Sequence, residues 1–82
     1  MAYFVYILFS ERSQKFYTGQ TQNLDNRLRE HNDGETSSIR HGIPWKMVWS
    51  KESENRSEAM IIEIKIKKRG AKRFLDDLSR GA

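Results

Sequence analysis

Eighty-two residues with no cysteine make one small domain with no disulfide, no thiolate nucleophile and no cysteine-based zinc site. The composition, 37 % hydrophobic and 32 % charged, is too apolar for disorder and too polar for a bilayer, and no apolar run nears the ~20 residues of a membrane span. The net charge of +4 is lopsided: residues 1–41 hold five basic and five acidic side chains, residues 42–82 ten and six.

The opening MAYFVYILFS has no basic flank and no small-residue cleavage site, so a cytoplasmic chain is the expectation. Within it, Tyr3 to Phe9 is a run of aromatic and β-branched residues that predicts a buried strand. Ser10 to Lys15 is a polar turn, and Phe16 to Thr21 predicts a second strand that completes a hairpin. Asn23 is placed to cap a helix from Leu24 to about Asn32, which Gly34 ends. Glu35 to Pro44 reads as a loop and Trp45 to Trp49 as a third strand. Ser57 or Asn55 caps a second helix that runs to Arg69 ahead of Gly70, and Ala71 to Leu78 forms a short third helix. The alternation from Ile62 to Lys67 also suits a strand, but the length of the segment, its cap and its glycine stop favour a helix. The order β-β-α-β-α-α predicts an α+β domain, 1–82, with a small sheet covered by helices.

Helical geometry sorts the polar residues. With Leu24 at 0° and about 100° per residue, Leu28 falls near 40°, His31 near −20° and Arg27 near −60°. His31 thus shares the leucine stripe and Arg27 sits at its edge, either as a phosphate-matching guanidinium beside a functional histidine or as a snorkelling arginine beside a packed one. In the second helix, Glu63 falls between the set Ala59, Ile62, Ile66 and the set Met60, Ile61, Ile64. A carboxylate there costs free energy unless it holds a metal such as Mg²⁺ or pairs with Arg27 or a nearby lysine. Tyr6 and Tyr17 lie in the paired strands, where aromatics also serve as plain cross-strand packing. Gly19 hints at a close backbone approach. Lys67, Lys68, Arg69, Lys72 and Arg73 form the densest basic cluster, suited to phosphate-rich partners or simply to a helix C-terminus. No Gly-x-Ser-x-Gly stretch and no glycine-rich phosphate loop is present.

Taken in order, Phe4-Val5-Tyr6, Tyr17-Thr18-Gly19, Gln20-Thr21-x-x-Leu24-x-x-Arg27-Leu28-x-x-His31-Asn32, Pro44-Trp45 and Glu58-Ala59-x-x-x-Glu63-x-x-Ile66-Lys67 resemble the GIY-YIG endonuclease superfamily. The nearest likeness is to its small single-domain bacterial branch, related to the nuclease domain of excision-repair protein C. The resemblance implies a three-stranded antiparallel sheet flanked by helices. It implies a Mg²⁺- or Mn²⁺-dependent phosphodiesterase acting on nucleic acid, DNA first, in repair or turnover. Carried over, Tyr6 and Tyr17 are the two motif tyrosines, Arg27 the helix arginine and Glu63 the metal ligand, while His31 matches a histidine of part of the superfamily. Phe4 and Thr18 depart from the motif letters, and the C-terminal segment has no clear match to the asparagine that closes the site in the repair enzyme. The general base is expected to be Tyr6, oriented by His31 and Tyr17, with His31 itself as the alternative. Two other functions compete: a nuclease-like module that binds nucleic acid or protein without cutting, and a basic structural or ribosome-associated protein. Retention of Tyr6, Tyr17, Arg27 and Glu63 together favours the enzyme, either alone, as a homodimer or with a protein partner.

Overall fold

The apolar run that opens the chain becomes the central strand of the sheet. In the computed structural model, which describes residues 2–81, the elements are β1 (Tyr3–Ser10), β2 (Lys15–Thr21), α1 (Leu24–Asn32), a 3-10 helix (Ser37–Gly42), β3 (Trp45–Ser53), α2 (Arg56–Arg69) and α3 (Ala71–Ser79). The sheet is antiparallel throughout, with the order β2-β1-β3. A strand in the middle, covered on both faces, needs apolar residues at successive positions rather than at alternate ones. Val5, Tyr6, Ile7 and Leu8 are all buried.

Each face of the sheet has its own core. Val5 and Ile7 pack with Ala59 and Ile66 of α2, and with Phe74 and Leu75 of α3. Tyr6 and Leu8 pack on the other side with Ile39 and Trp45, and with Leu24 and Leu28 of α1. Strand β3 serves both cores because its pairing with β1 shifts register between Ile7 and Leu8. Trp49 lies opposite Ile7 and Met47 opposite Leu8, which leaves Val48 as the extra residue of a bulge, 40 % exposed. The shift sends Met47 to the α1 face and Trp49 to the α3 face, where its ring meets Phe74 edge-on at 5.0 Å.

The predicted architecture is the observed one, with differences of extent: β1 and β2 each take one residue of the expected turn, Ser10 and Lys15. The loop expected over 35–44 contains the 3-10 helix, pinned where the buried Trp45 indole Nε1 donates to the Ile39 carbonyl at 2.9 Å. Strand β3 runs on to Ser53, because Lys51, Glu52 and Ser53 still pair with Val5, Phe4 and Tyr3 although their side chains carry no apolar signal. Helix α3 reaches Ser79. The caps of α1 and α2 form: the Asn23 side chain accepts from the Asn26 amide at 3.0 Å, and Asn55 Oδ1 from the Glu58 amide at 2.9 Å. Of the two apolar sets on α2, only Ala59, Ile62 and Ile66 face the core, while Met60, Ile61 and Ile64 are 42 %, 66 % and 47 % exposed. No helix among the described residues is long and apolar enough to cross a membrane.

One side chain ties α1 to the sheet. Asn32 donates from Nδ2 to the Trp45 carbonyl at 3.1 Å and accepts from the Trp45 amide at 2.6 Å, serving both backbone groups of the first β3 residue. Asn32→Ala removes both bonds and leaves the Trp45 groups unpaired, at a cost of about 2 kcal/mol, read as a lower urea midpoint with an unchanged m-value.

Candidate active site

Strand β2 is an edge strand, and its last residues border a cleft of about 610 Å³. Tyr6, Tyr17, Arg27, His31 and Glu63 all line this cleft. They arrive from opposite sides of the sheet. Tyr6, Tyr17 and His31 belong to the α1 side, whereas Glu63 stands on α2, across the edge of β2.

Gly19 makes the tyrosine side possible. It pairs directly with Tyr6, and a Cβ built on it would lie 2.6 Å from Tyr6 Oη and 3.3 Å from Tyr17 Cε2. The glycine is needed for close approach and not for an unusual backbone angle. Into the space it leaves, Tyr6 turns its hydroxyl to His31 Nε2, and a hydrogen bond of 2.9 Å joins them. Tyr17 completes the trio, its ring 5.2 Å from His31 edge-on and 6.4 Å from Tyr6. His31 is 1 % exposed and Tyr6 2 %. His31 Nδ1 is buried with no hydrogen-bond partner.

Burial sets the protonation states. It lowers the His31 pKa below the ordinary histidine value, and the nearby Arg27 charge pushes the same way against a smaller pull from Glu30. It raises the Tyr6 hydroxyl well above the ordinary tyrosine value, reinforced by Tyr17 and only partly offset by Arg27. Both groups are therefore neutral at pH 7. A tyrosinate prepared by a neighbouring cation is not what this environment favours, since desolvation outweighs Arg27.

The carboxylate side is built differently. Glu63 accepts from Gln20 Nε2 at 3.0 Å and pairs with Lys67 Nζ at 2.7 Å, one helical turn on. Its ion-pair partner is thus a lysine; Arg27 pairs instead with Glu30, at 3.5 Å, and keeps a side chain 42 % exposed in the cleft. No group of three or more His, Cys, Asp or Glu residues gathers among the described residues. An all-protein metal cage is absent there, and the available donor set is one part-buried carboxylate facing a water-accessible cleft.

The basic cluster divides into separate roles. Arg69 forms a two-pronged pair with Asp77, Nε to Oδ2 at 2.9 Å and Nη2 to Oδ1 at 3.0 Å, which fastens α2 to α3. Lys67 is engaged at Glu63, while Lys68, Lys72 and Arg73 are exposed and do not line the cleft. Other lining residues were not read as site residues from the sequence, among them Tyr3, Gln20 and Arg56. A signal for Arg56 existed, because it is the first residue of α2, where a cation opposes the helix dipole. Gln20 stands in the motif quoted from the sequence, and strand parity turns it toward α2.

Two outcomes follow from this geometry. Gly19→Ala forces Tyr6 and Tyr17 aside, so the protein remains folded but the Tyr6–His31 bond is broken, seen as a changed His31 ring shift in NMR spectra. His31 has a folded-state pKa below its unfolded one, so protons favour the unfolded chain: the stability it contributes is complete above about pH 6.5 and is lost as pH falls through the window beneath. The melting temperature drops between about pH 7 and pH 5, and His31→Gln flattens that drop.

The model of the GIY-YIG catalytic domain matches residues 2–75. A UPF0213 protein of Oceanobacillus iheyensis is 41 % identical over 66 residues, which span 79 % of this chain and 76 % of that one. A UPF0213 protein of Clostridium perfringens is 39 % identical over 66 residues, 79 % of this chain and 70 % of the relative. The solution NMR structure of a UPF0213 protein from Bacillus halodurans superposes with a TM-score of 0.57 at 31 % identity, covering 95 % of this chain and 85 % of the other. With the sheet order, the tyrosine pair and the family model in agreement over nearly the whole length, the chain belongs to the GIY-YIG family and has its nuclease-like fold.

Proposed function

We propose that the protein is a divalent-metal-dependent endonuclease that hydrolyses phosphodiester bonds in nucleic acid, with DNA as the first substrate to test. The observation that carries this reading is the meeting of Tyr6, Tyr17, His31, Arg27 and Glu63 in one cleft, from four elements and both sides of the sheet. Packing alone does not ask for a guanidinium, a carboxylate and a hydrogen-bonded tyrosine–histidine pair at a single opening.

The residues divide the work. Arg27 points a fixed set of donors at the non-bridging oxygens, where charge grows in the transition state. Arg56, on the rim, holds a neighbouring phosphate. Tyr6 takes the proton of the attacking water while passing its own to His31 Nε2, so a full tyrosinate never has to form. Neutral His31, with its proton on Nδ1, is the final acceptor, and its lowered pKa keeps it in the accepting form at pH 7. Tyr17 braces the imidazole edge-on. One part-buried carboxylate suits Mg²⁺, which keeps several waters and needs one or two protein ligands. Glu63 would hold the ion, which would supply Lewis-acid stabilisation of the charge that develops at the reacting phosphate. The exposed Lys68, Lys72 and Arg73 add sequence-independent attraction that falls with salt.

The test is cleavage of labelled single-stranded, duplex, nicked, flapped and branched DNA, and of RNA, in Mg²⁺, Mn²⁺ or EDTA. Glu63→Gln and Arg27→Ala are each expected to lower the rate by about 10²–10³-fold or more, and EDTA to abolish it. Salt-sensitive binding of these substrates with no cutting in any metal would replace the enzyme by a binding module.

A further inference from the structure

Both oxygens of the Glu63 carboxylate are already engaged, Oε2 by Lys67 Nζ at 2.7 Å and Oε1 by Gln20 Nε2 at 3.0 Å. The Glu63 side chain is 16 % exposed, and a carboxylate so far out of water needs a facing charge or donor. Its two partners differ in kind. Gln20 is a neutral donor fixed on β2. Lys67 carries a full charge on a flexible stem, is 56 % exposed, and follows Glu63 by one helical turn. An ammonium and a divalent cation compete for the same oxygen, and the lysine end of this i,i+4 pair, exposed on a flexible stem, can swing away.

We propose that Lys67 is the placeholder cation of the metal site: its ammonium neutralises Glu63 and holds the carboxylate toward the cleft, and it is displaced when a divalent ion takes Oε2. Lys67 is in this sense a positioning residue, and the inference rests on Glu63 being the metal ligand. Gln20 stays on Oε1 throughout and fixes the rotation of the carboxylate, so the ion meets a prepared ligand. Entry of metal is thereby coupled to release of the lysine that pairs with Glu63.

The experiment titrates the full chain with Mn²⁺, following free Mn²⁺ by electron paramagnetic resonance, and follows the lysine Cε resonances of ¹³C-lysine-labelled protein as Mg²⁺ is added. Lys67→Met is expected to tighten Mn²⁺ binding about two- to five-fold, Lys65→Met to leave it unchanged, and Glu63→Gln to abolish it. In the wild type, the Lys67 Cε signal moves with Mg²⁺ while the other lysines stay still. Unchanged or weaker Mn²⁺ binding in Lys67→Met, equal tightening in Lys65→Met, or a Lys67 signal indifferent to Mg²⁺ would overturn the role of Lys67 while leaving Glu63 as the ligand. Mn²⁺ binding that survives Glu63→Gln would instead overturn the ligand assignment, and the placeholder with it.

Discussion

Strand β1 has no solvent face, and this constraint shapes everything around it. A central strand buried on both sides needs cover twice over, so the chain supplies α1 and the 3-10 helix for one face and α2 with α3 for the other. Successive β1 residues then belong to different cores. Val5 anchors the α2 side while Tyr6, its neighbour, anchors the tyrosine–histidine cluster. Because β2 is the edge, its end is where chemistry from both faces can meet in one opening.

The two halves of that opening follow opposite electrostatic rules. On the α1 side, desolvation keeps Tyr6 and His31 uncharged, and among the described residues the bond they share is the side-chain hydrogen bond that each makes. On the α2 side, a lysine and an amide face the Glu63 carboxylate. Arg27 stands between these regimes: it lies close enough to lower both pKa values on one side, and its exposure leaves it free to reach an anion in the cleft.

Helix α2 carries more apolar surface than its core contacts use. Glu63 lies at the border between the buried stripe of Ala59, Ile62 and Ile66 and the exposed Met60, Ile61 and Ile64. That border position accounts for its partial burial: deep enough to need partners, shallow enough to face the cleft. The bulge at Val48 plays a comparable part in β3, since without the extra residue Met47 and Trp49 would share one face and one of the two cores would lose its tryptophan.

The amino-acid sequence by itself determined the element order, the cap at Asn23, a second cap at Asn55 or Ser57, and the ordered motif from Phe4 to Lys67, because strand composition, helix capping and glycine stops act over a few residues. It placed His31 in the leucine stripe and Gly19 at a close approach for the same local reason. Whether β3 would continue into polar residues, and where its register would shift, depended on the partner strand, whose hydrogen bonds carry no side-chain signature. Which of the two apolar sets on α2 would be buried depended on where the sheet lay. The partner of Glu63, the pairing of Arg69 with Asp77 and the entry of Arg56 into the cleft are contacts between elements or choices among nearby charges. Several geometries satisfy such choices equally well in one dimension, and only the packed tertiary structure selects among them.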